Sequence, residues 1–146
     1  MLDARERLFG TDLLLRDYAE GLDLGPEGDI QTGGDLALAR GNANIVQALT
    51  LRLRVRRGEL AALGWPDFGS RLHELIGEPD LPRTHLKLQV FARQAIEADP
   101  RVRKVVSVVS TTLPGERDTV RLAIDIQLID AATPLNLVFD QSLGAP

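Results

Sequence analysis

Carboxylates are the side chains of this sequence that are best suited to catalysis. Among 21 Asp and Glu residues, Glu74 and Glu78 lie four positions apart, and Glu97 and Asp99 lie two apart. Glycoside hydrolysis needs two carboxyl groups about 5–9.5 Å apart, one of them with a raised pKa. Gly77 is expected to end a helix within the first pair, and aromatic residues, which would line a sugar-binding cleft, make up only 4% of the chain. We therefore predict that neither pair is catalytic and that the chain is not an enzyme.

The sequence gives no sign of a metal or cofactor site. It has no Cys, and its two histidines, His73 and His85, do not stand in an HxxxH or HxH spacing, so the usual zinc ligand sets are missing. The glycines do not form a GxGxxG or P-loop motif, and no Ser, His and Asp stand in a diagnostic order. We predict no cofactor, and histidines that are exposed or satisfied by helix-cap hydrogen bonds.

Arginines are concentrated at the end of the first predicted helix, at Arg52, Arg54, Arg56 and Arg57. They could contact phosphates, but no aromatic residues are interleaved with them and the net charge is −4, which disfavours a nucleic-acid partner. The alternative is ion pairing with acidic segments of the chain or with a neighbouring subunit.

Charge is unevenly distributed along the chain. Residues 1–41 carry a net charge of −5, residues 42–104 carry +4, and residues 105–146 carry −3. This distribution would suit charge-complementary stacking against further copies or partners. The plainer interpretation is a solvated surface of mixed sign.

A corner between a helix and a strand is predicted at Asp99, Pro100 and Arg101. Pro100 ends the helix, so Arg101 stands on a rigid base. A guanidinium held in this way can make two hydrogen bonds to a carboxylate across an interface. The alternative is a helix stop that is followed by a solvated Arg.

Two long helices must position these groups. The first runs from Ile45 to about Arg57, where the sequence has no Gly or Pro and a wide apolar face. The second begins at Asp80 or Leu81 and ends before Pro100. The stretch Trp65–Pro79 joins them with a turn, a short helix and a Gly-Glu-Pro stop. We interpret it as a tightly bounded connector.

The remaining elements are predicted strands. An N-terminal β-hairpin is expected from Leu13–Leu15 and Asp35–Arg40, with the Gly-rich residues 21–34 as its connection. Three further strands are expected at Val105–Val109, which is apolar on both faces and so covered, at residues 120–128, and at Leu135–Phe139. The predicted fold is α+β, with an N-terminal β-hairpin, two long helices joined by a short helix, and a C-terminal antiparallel three-stranded meander.

The last predicted strand lacks the usual protection of a sheet edge. Its residues, Leu135, Asn136, Leu137, Val138 and Phe139, include no Lys or Pro. A strand of another chain could therefore pair with it. The alternative is that the N-terminal hairpin covers this edge.

The chain length of 146 residues suits one domain. We place an arm and first strand at residues 1–28 and a single domain at 29–146. No apolar run approaches the roughly 18 residues of a membrane span, and the N-terminus lacks the apolar core of a secretory signal. Synthesis in the cytoplasm is expected.

Several motifs together resemble one family. They are GDLALARG before a Leu-rich helix, FGSRLHELIGEP, EADPRV leading into paired strands, and a terminal NLVF. In this order they resemble the baseplate wedge proteins of contractile phages, a family that includes the sheath initiators of type VI secretion and of extracellular contractile injection systems. The resemblance covers roughly residues 29–140.

The resemblance implies a structural protein in six copies, between the baseplate wedges and the first sheath ring, which templates the sheath by offering a strand. The implied partners are the sheath protein, the wedge proteins and the inner tube or hub, with assembly in the cytoplasm into a tail-like particle. The Glu-Pro-Arg motif of the family maps onto Asp99, Pro100 and Arg101, with Asp in place of Glu. With Arg71, these residues are the predicted wedge interface.

Two other functions stay open at the level of sequence. Proteins of this family are often labelled lysozyme-like, and that label implies a peptidoglycan-degrading enzyme that uses Glu74 or Glu97. A DNA-associated module is the third interpretation, motivated by the arginines of the first helix. Steep release from DNA as salt rises would reveal it.

Overall fold

The structure is a computed structural model that describes residues 11–13, 15–18, 21–24, 38–40, 42–129 and 134–144. The chain divides into two compact units, Met1–Ala48 and Leu49–Pro146. The boundary predicted between residues 28 and 29 lies outside the described residues and stays a prediction. No helix among the described residues is long and apolar enough to cross a membrane.

Short strands precede the first helix. They form two antiparallel pairs: β1 (Thr11–Leu13) with β4 (Leu38–Arg40), and β2 (Leu15–Tyr18) with β3 (Gly21–Leu24). The prediction of a loop over Gly21–Leu24 is wrong, because these residues pair with β2 in spite of the glycine. The connection of the predicted hairpin at residues 25–37 lies outside the described residues, so the N-terminal hairpin stays a prediction.

The first helix, α1 (Asn42–Arg54), carries the predicted apolar row. Ile45, Leu49 and Leu53 lie four positions apart and are at most 2% exposed, so they share one face of the helix. The helix ends before Arg57, because the backbone at Arg56 leaves it to form an isolated parallel bridge with Ser70. The chain then turns at Gly58, whose φ is +91°.

The connector is attached to the end of α1 by its backbone. Ser70 N–H donates to the carbonyl of Val55 at 2.9 Å, and Ser70 accepts from Arg57 N–H at 3.0 Å. The Ser70 hydroxyl donates to the carbonyl of Leu53 at 2.6 Å and accepts a long hydrogen bond from Leu72 N–H at 3.4 Å. Ser70 therefore joins α1 to the connector.

The predicted short helix forms as a 3₁₀ helix at Leu72–Leu75, and a second 3₁₀ turn forms at Ala61–Leu63. Leu72 and Leu75 are buried, so the short helix packs both leucines into the core. Gly77 has a φ of +92° and ends this segment as predicted.

The second long helix, α2 (Pro82–Glu97), begins with Leu81 as N-cap and Pro82 in its first turn. A Pro is tolerated there because its missing N–H would have no partner within the helix. The helix packs on the strand that follows it, through a face on which Leu88, Ala92 and Ile96 are fully buried.

A three-stranded antiparallel sheet ends the chain. Its strands are β5 (Val102–Thr112), β6 (Thr119–Leu128) and β7 (Leu135–Ser142), in the order β5-β6-β7. Alternate residues of β6 from Val120 to Leu128 are at most 1% exposed, and each contributes about 1.5–3 kcal/mol relative to exposure in water. The two long helices and the meander confirm the predicted α+β class.

The prediction that β5 is covered on both faces is wrong. Val106 and Val109 are 51% and 56% exposed, while Val105 is buried. A register shift between Val105 and Ser107 adds a bulge at this point of the strand. The apolar sequence of β5 therefore places valines on a solvent-facing surface.

Candidate functional site

The predicted corner is built around a buried carboxylate. The Asp99 side chain is 1% exposed, and its Oδ2 accepts from Arg52 Nε at 3.2 Å and from Arg101 Nη2 at 2.8 Å. Its Oδ1 accepts from Arg101 Nε at 3.0 Å and from the Arg101 backbone N–H at 2.9 Å. Asp99 therefore ties α1 to the start of β5.

Electrostatics keep this carboxylate charged. Burial by itself would raise the pKa of Asp99, but hydrogen bonds from the Arg101 side chain and backbone, and the charges of Arg101 and Arg52, outweigh it. The pKa of Asp99 consequently lies below its usual value. The hydrogen bonds to Asp99 in turn raise the pKa of Arg101.

The structure brings all three predicted corner residues together, but Arg101 already binds a carboxylate of its own chain. Arg101 makes its two parallel hydrogen bonds to Asp99 of the same molecule. Pro100 is exposed, and the Arg101 side chain keeps 26% of its surface accessible. A role of the corner at a wedge interface stays a prediction.

Arg71 lies on the connector. Its Nε donates to Glu74 at 2.8 Å, and its guanidinium carbon lies 4.5 Å from the centre of the Phe91 ring. The Arg71 side chain is 45% exposed. It is therefore accessible to a partner, although its orientation is already held by Glu74 and Phe91.

The 3₁₀ turn at Ala61–Leu63 and the connector expose large apolar side chains that we did not predict to be exposed. Trp65 is 62% exposed and Leu63 is 71% exposed. An open groove beside Trp65 is lined by Arg52, Phe68 and Ala98, among others. Exposed aromatic residues of this kind are enriched in protein interfaces, and the lone Trp was the signal from which this surface could have been found.

The predicted strand-addition site forms one edge of the sheet. β7 pairs with β6 on one side, and no strand of the described residues pairs with its other side. Leu137 and Phe139 are buried at 3% and 6%, whereas Val138 is 52% exposed on the opposite face. The buried side chains of Leu137 and Phe139 therefore anchor β7 in the core.

The opposite edge of the sheet is capped by side chains at one residue, Val105. Arg93 Nη1 donates to the carbonyl of Val105 at 2.7 Å, and Glu97 Oε1 accepts from the Val105 backbone N–H at 3.2 Å. Charged side chains at a strand edge discourage pairing with another chain. No local signal in the sequence indicates this cap, because α2 and β5 meet only in the folded chain.

Three of the four carboxylates in the two candidate pairs are already bound to arginines of the same chain. Glu74 is bound by Arg71, and Glu97 lies 3.7 Å from Arg93 and also caps Val105. Asp99 is enclosed in its arginine cluster. The structure therefore does not direct either pair at a shared site.

The histidines differ from each other. His73 is half-buried, and its Nδ1 lies 3.1 Å from the carbonyl oxygen of Ser70, a local contact that is not a helix cap. His85 instead joins two side chains, with Nε2 2.5 Å from Asp80 and Nδ1 2.8 Å from Ser110. No local signal in the sequence indicates the contact between Ser110 and His85, because the two residues are 25 positions apart.

The fold matches that of a solved structure that is named as a tail protein. A crystal structure of a "putative tail lysozyme" from Geobacter sulfurreducens has a TM-score of 0.63 and 20% sequence identity, covering 74% of this chain and 96% of that chain. Similarity at this identity establishes a common fold. No protein-family model and no curated protein matches the chain.

This comparison corrects one prediction from the sequence. We expected that the chain is not an enzyme, whereas the neighbour with the same fold is named as a lysozyme, which points to an enzyme. The expectation rested on the spacing of carboxylates along the chain. Groups that act together are brought together by the fold, and their sequence spacing need not show it.

Proposed function

We propose that this chain is a subunit of a contractile tail that links the baseplate wedges to the first sheath ring and templates the sheath by strand addition. The observation that carries the proposal is the contrast between the two edges of the sheet. Arg93 and Glu97 cap the β5 edge at Val105, whereas β7 has an edge that no described strand or side-chain cap of this kind is seen to cover.

The side chains around β7 suit a template of fixed register. On the exposed face, Asn136 donates to Asp125 at 2.7 Å, and Arg121 binds Asp140 at 2.8 Å. Val138 lies between these two polar pairs in the strand. Since the strand is anchored on both faces, an incoming strand would meet backbone groups that are already ordered, which lowers the entropic cost of pairing.

The name of the structural neighbour supports a tail-associated role, because it denotes a tail protein of the same fold. It agrees at this coarse level with the motifs that resemble baseplate wedge proteins. We further propose six copies per baseplate, with the sheath protein at β7 and the wedge proteins at Arg71 and the Asp99–Arg101 corner. Assembly would take place in the cytoplasm, with the inner tube or hub as a further neighbour.

Proline substitutions in β7 test the proposal. Backbone N–H groups of an antiparallel strand alternate in direction, so either Val138→Pro or Leu135→Pro removes an N–H that faces away from β6. Thermal unfolding of the purified variants identifies the one that keeps the fold. In a strain that lacks the chromosomal copy, this folded variant should enter baseplates but yield no extended sheath by electron microscopy.

Val138→Thr is the matched control, because it keeps the backbone N–H and the β-branched shape. It should restore sheath of normal length. Sheath of normal length with the folded proline variant, or in the deletion strain itself, would refute templating by this edge.

Cleavage of peptidoglycan is the second candidate function. It is favoured by the neighbour's name, which is that of a lysozyme. The low pKa of Asp99 makes this residue unsuited to the role of a general acid, which requires a raised pKa. Glu74, Glu78 and Glu97 are the remaining acids of the two pairs.

A release assay tests this second function. Purified protein should solubilise labelled peptidoglycan, and Glu74→Gln or Glu97→Gln should abolish the release if the corresponding acid is required. Glu116→Gln is the control, because Glu116 is exposed in the turn between β5 and β6 and belongs to neither pair. Absence of release by the wild-type protein over a range of pH would exclude this activity.

A further inference from the structure

Polar side chains at the start of α2 and the end of β5 form an unbroken chain of hydrogen bonds. Gln89 Nε2 donates to Ser110 Oγ at 2.9 Å, and Ser110 Oγ lies 2.8 Å from His85 Nδ1. His85 Nε2 lies 2.5 Å from Asp80 Oδ1, and Thr112 Oγ1 donates to Asp80 Oδ2 at 2.6 Å. A serine, an imidazole and a carboxylate are thereby placed in series.

Only one arrangement of protons satisfies this chain when the imidazole is neutral. The ionised carboxylate of Asp80 is only an acceptor, so His85 carries its proton on Nε2 and has a free lone pair on Nδ1. The amide nitrogen of Gln89 is only a donor, so it occupies a lone pair of Ser110 Oγ. The Ser110 proton is consequently directed at His85 Nδ1.

The surrounding structure holds these groups in place. His85 and Gln89 lie one helical turn apart on α2. Ser110 lies opposite Leu122 in the sheet, and Leu122 is fully buried. Ser110 is therefore on the face of β5 that α2 covers. The hydrogen bonds from Thr112 and then His85 hold the pKa of Asp80 below its usual value.

Solvent still reaches the cluster. The side chains of His85 and Asp80 are 19% and 26% exposed, and Ser110 is half-buried. The cluster therefore lies at the partly exposed rim between α2 and β5, from which a small electrophile would have to approach.

We propose that Ser110 is a nucleophile activated by His85, with Asp80 as the positioning residue, and that this site transfers acyl groups from esters to water. The Ser110 oxygen forms a bond to the ester carbonyl carbon while its proton passes to His85 Nδ1. The carbon–oxygen bond to the alcohol breaks, and the alcohol leaves with that proton. Water then attacks the acyl-serine with the same base, which releases the acid and restores the serine.

The site has the same order of groups as a Ser-His-Asp triad, but the imidazole ring is flipped. In the usual arrangement Nε2 faces the serine and Nδ1 faces the carboxylate, whereas here the two nitrogens exchange places. Either nitrogen can accept a proton once the other is held by a carboxylate. This activity goes beyond the proposed role in a tail and does not depend on it.

The test is covalent labelling with an alkyl fluorophosphonate. Attack by Ser110 forms an oxygen–phosphorus bond and expels fluoride, and mass spectrometry locates the adduct. We expect an adduct on Ser110, labelling at least about tenfold slower in His85→Gln, and hydrolysis of p-nitrophenyl acetate that is lost in Ser110→Ala. Ser107→Ala is the matched control, because Ser107 bonds Asp125 on the other face of β5 and should leave both rates unchanged.

Asp80→Asn tests the positioning role. The amide can donate to Nε2, which would move the ring proton to Nδ1 and leave Ser110 without a base, so labelling should slow although the side chain keeps its shape. Nitrogen-15 chemical shifts of the wild-type ring should show neutral His85 protonated on Nε2. A proton on Nδ1, absence of an adduct on Ser110, or labelling that is insensitive to His85→Gln would overturn the proposal and leave a purely structural tie between α2 and β5.

Discussion

Asp99 shows how one carboxylate can organise several elements. Its oxygens bind Arg52 on α1 and Arg101 at the start of β5, and the carboxylate is almost fully buried. A buried charge without partners is costly, so this carboxylate depends on both arginines. The guanidinium of Arg52 is also positioned 4.8 Å from the centre of the Phe68 ring.

Asp99→Asn should lower the free energy of unfolding by about 2–3 kcal/mol, because it leaves two arginines without their anion and places an amide donor among donors. Urea unfolding at neutral pH measures the loss. Asp140→Asn is the control, since its ion pair with Arg121 is exposed on both sides and should change stability far less. Equal losses of unfolding free energy in the two variants would contradict the role of Asp99 as a buried charge that joins α1 to β5.

The same contact predicts a dependence on pH. The pKa of Asp99 is lower in the folded chain than the ordinary value of 3.8, so its contribution to stability is fully present above that pH. The contribution is lost as the pH falls through the lower pKa of the folded state. The difference in unfolding free energy between wild type and Asp99→Asn should therefore narrow below about pH 4.

The connector depends on one glycine in particular. Gly69 has a φ of +110°, and a Cβ atom at this position would lie 2.5 Å from the carbonyl oxygen of Val55. The close approach permits the hydrogen bonds of Ser70 to the end of α1. A side chain at position 69 would have to move backbone, so the connector would lose its attachment.

Gly69→Ala should lower the free energy of unfolding by at least about 2–3 kcal/mol, from the positive φ and the backbone clash together. Gly64→Ala is the matched control: φ is +93° and nothing lies within 4 Å of its Cβ position, so only the φ strain of about 1–2 kcal/mol remains. Denaturant unfolding compares the two. If Gly69→Ala lowers the free energy of unfolding no more than Gly64→Ala does, the backbone around position 69 can move at little cost, and the expected clash is refuted.

The two edges of the sheet differ for a reason that lies in the element order. α2 precedes β5 directly and packs on it, so Arg93 and Glu97 can reach the backbone of Val105. β7 has β6 on one side and no described strand on the other. Strand addition is accordingly proposed at β7 and not at β5.

For the molecule as a whole, the similarity to the Geobacter protein extends over 74% of the chain at 20% identity. Conservation of a fold at such low identity indicates that the packing pattern, and not individual side chains, is what the two chains have in common. The tail role, the strand-addition edge and the Ser110 site therefore each need their own experiment. The sheath assay, the peptidoglycan assay and the labelling assay can fail independently.

The sequence by itself predicted most of the elements of the second unit. The alternation from Val120 to Leu128 identified β6, and Gly77 with the Pro at position 79 placed the end of the connector. These signals are local: a strand or a helix end is decided by the residues within a few positions of it. For the same reason the sequence predicted the class α+β and the three-stranded meander.

Only the tertiary structure decided which side chains meet. Arg52 and Asp99 are 47 positions apart, and His85 and Ser110 are 25 apart, so no local pattern announces either contact. The exposure of Val106 and Val109 was also decided by the tertiary structure. Their apolar sequence predicted burial, but no described element covers that face of β5 at these two residues. Periodicity tells which residues share a face, but the partner of that face is set by packing between elements that are distant in the chain.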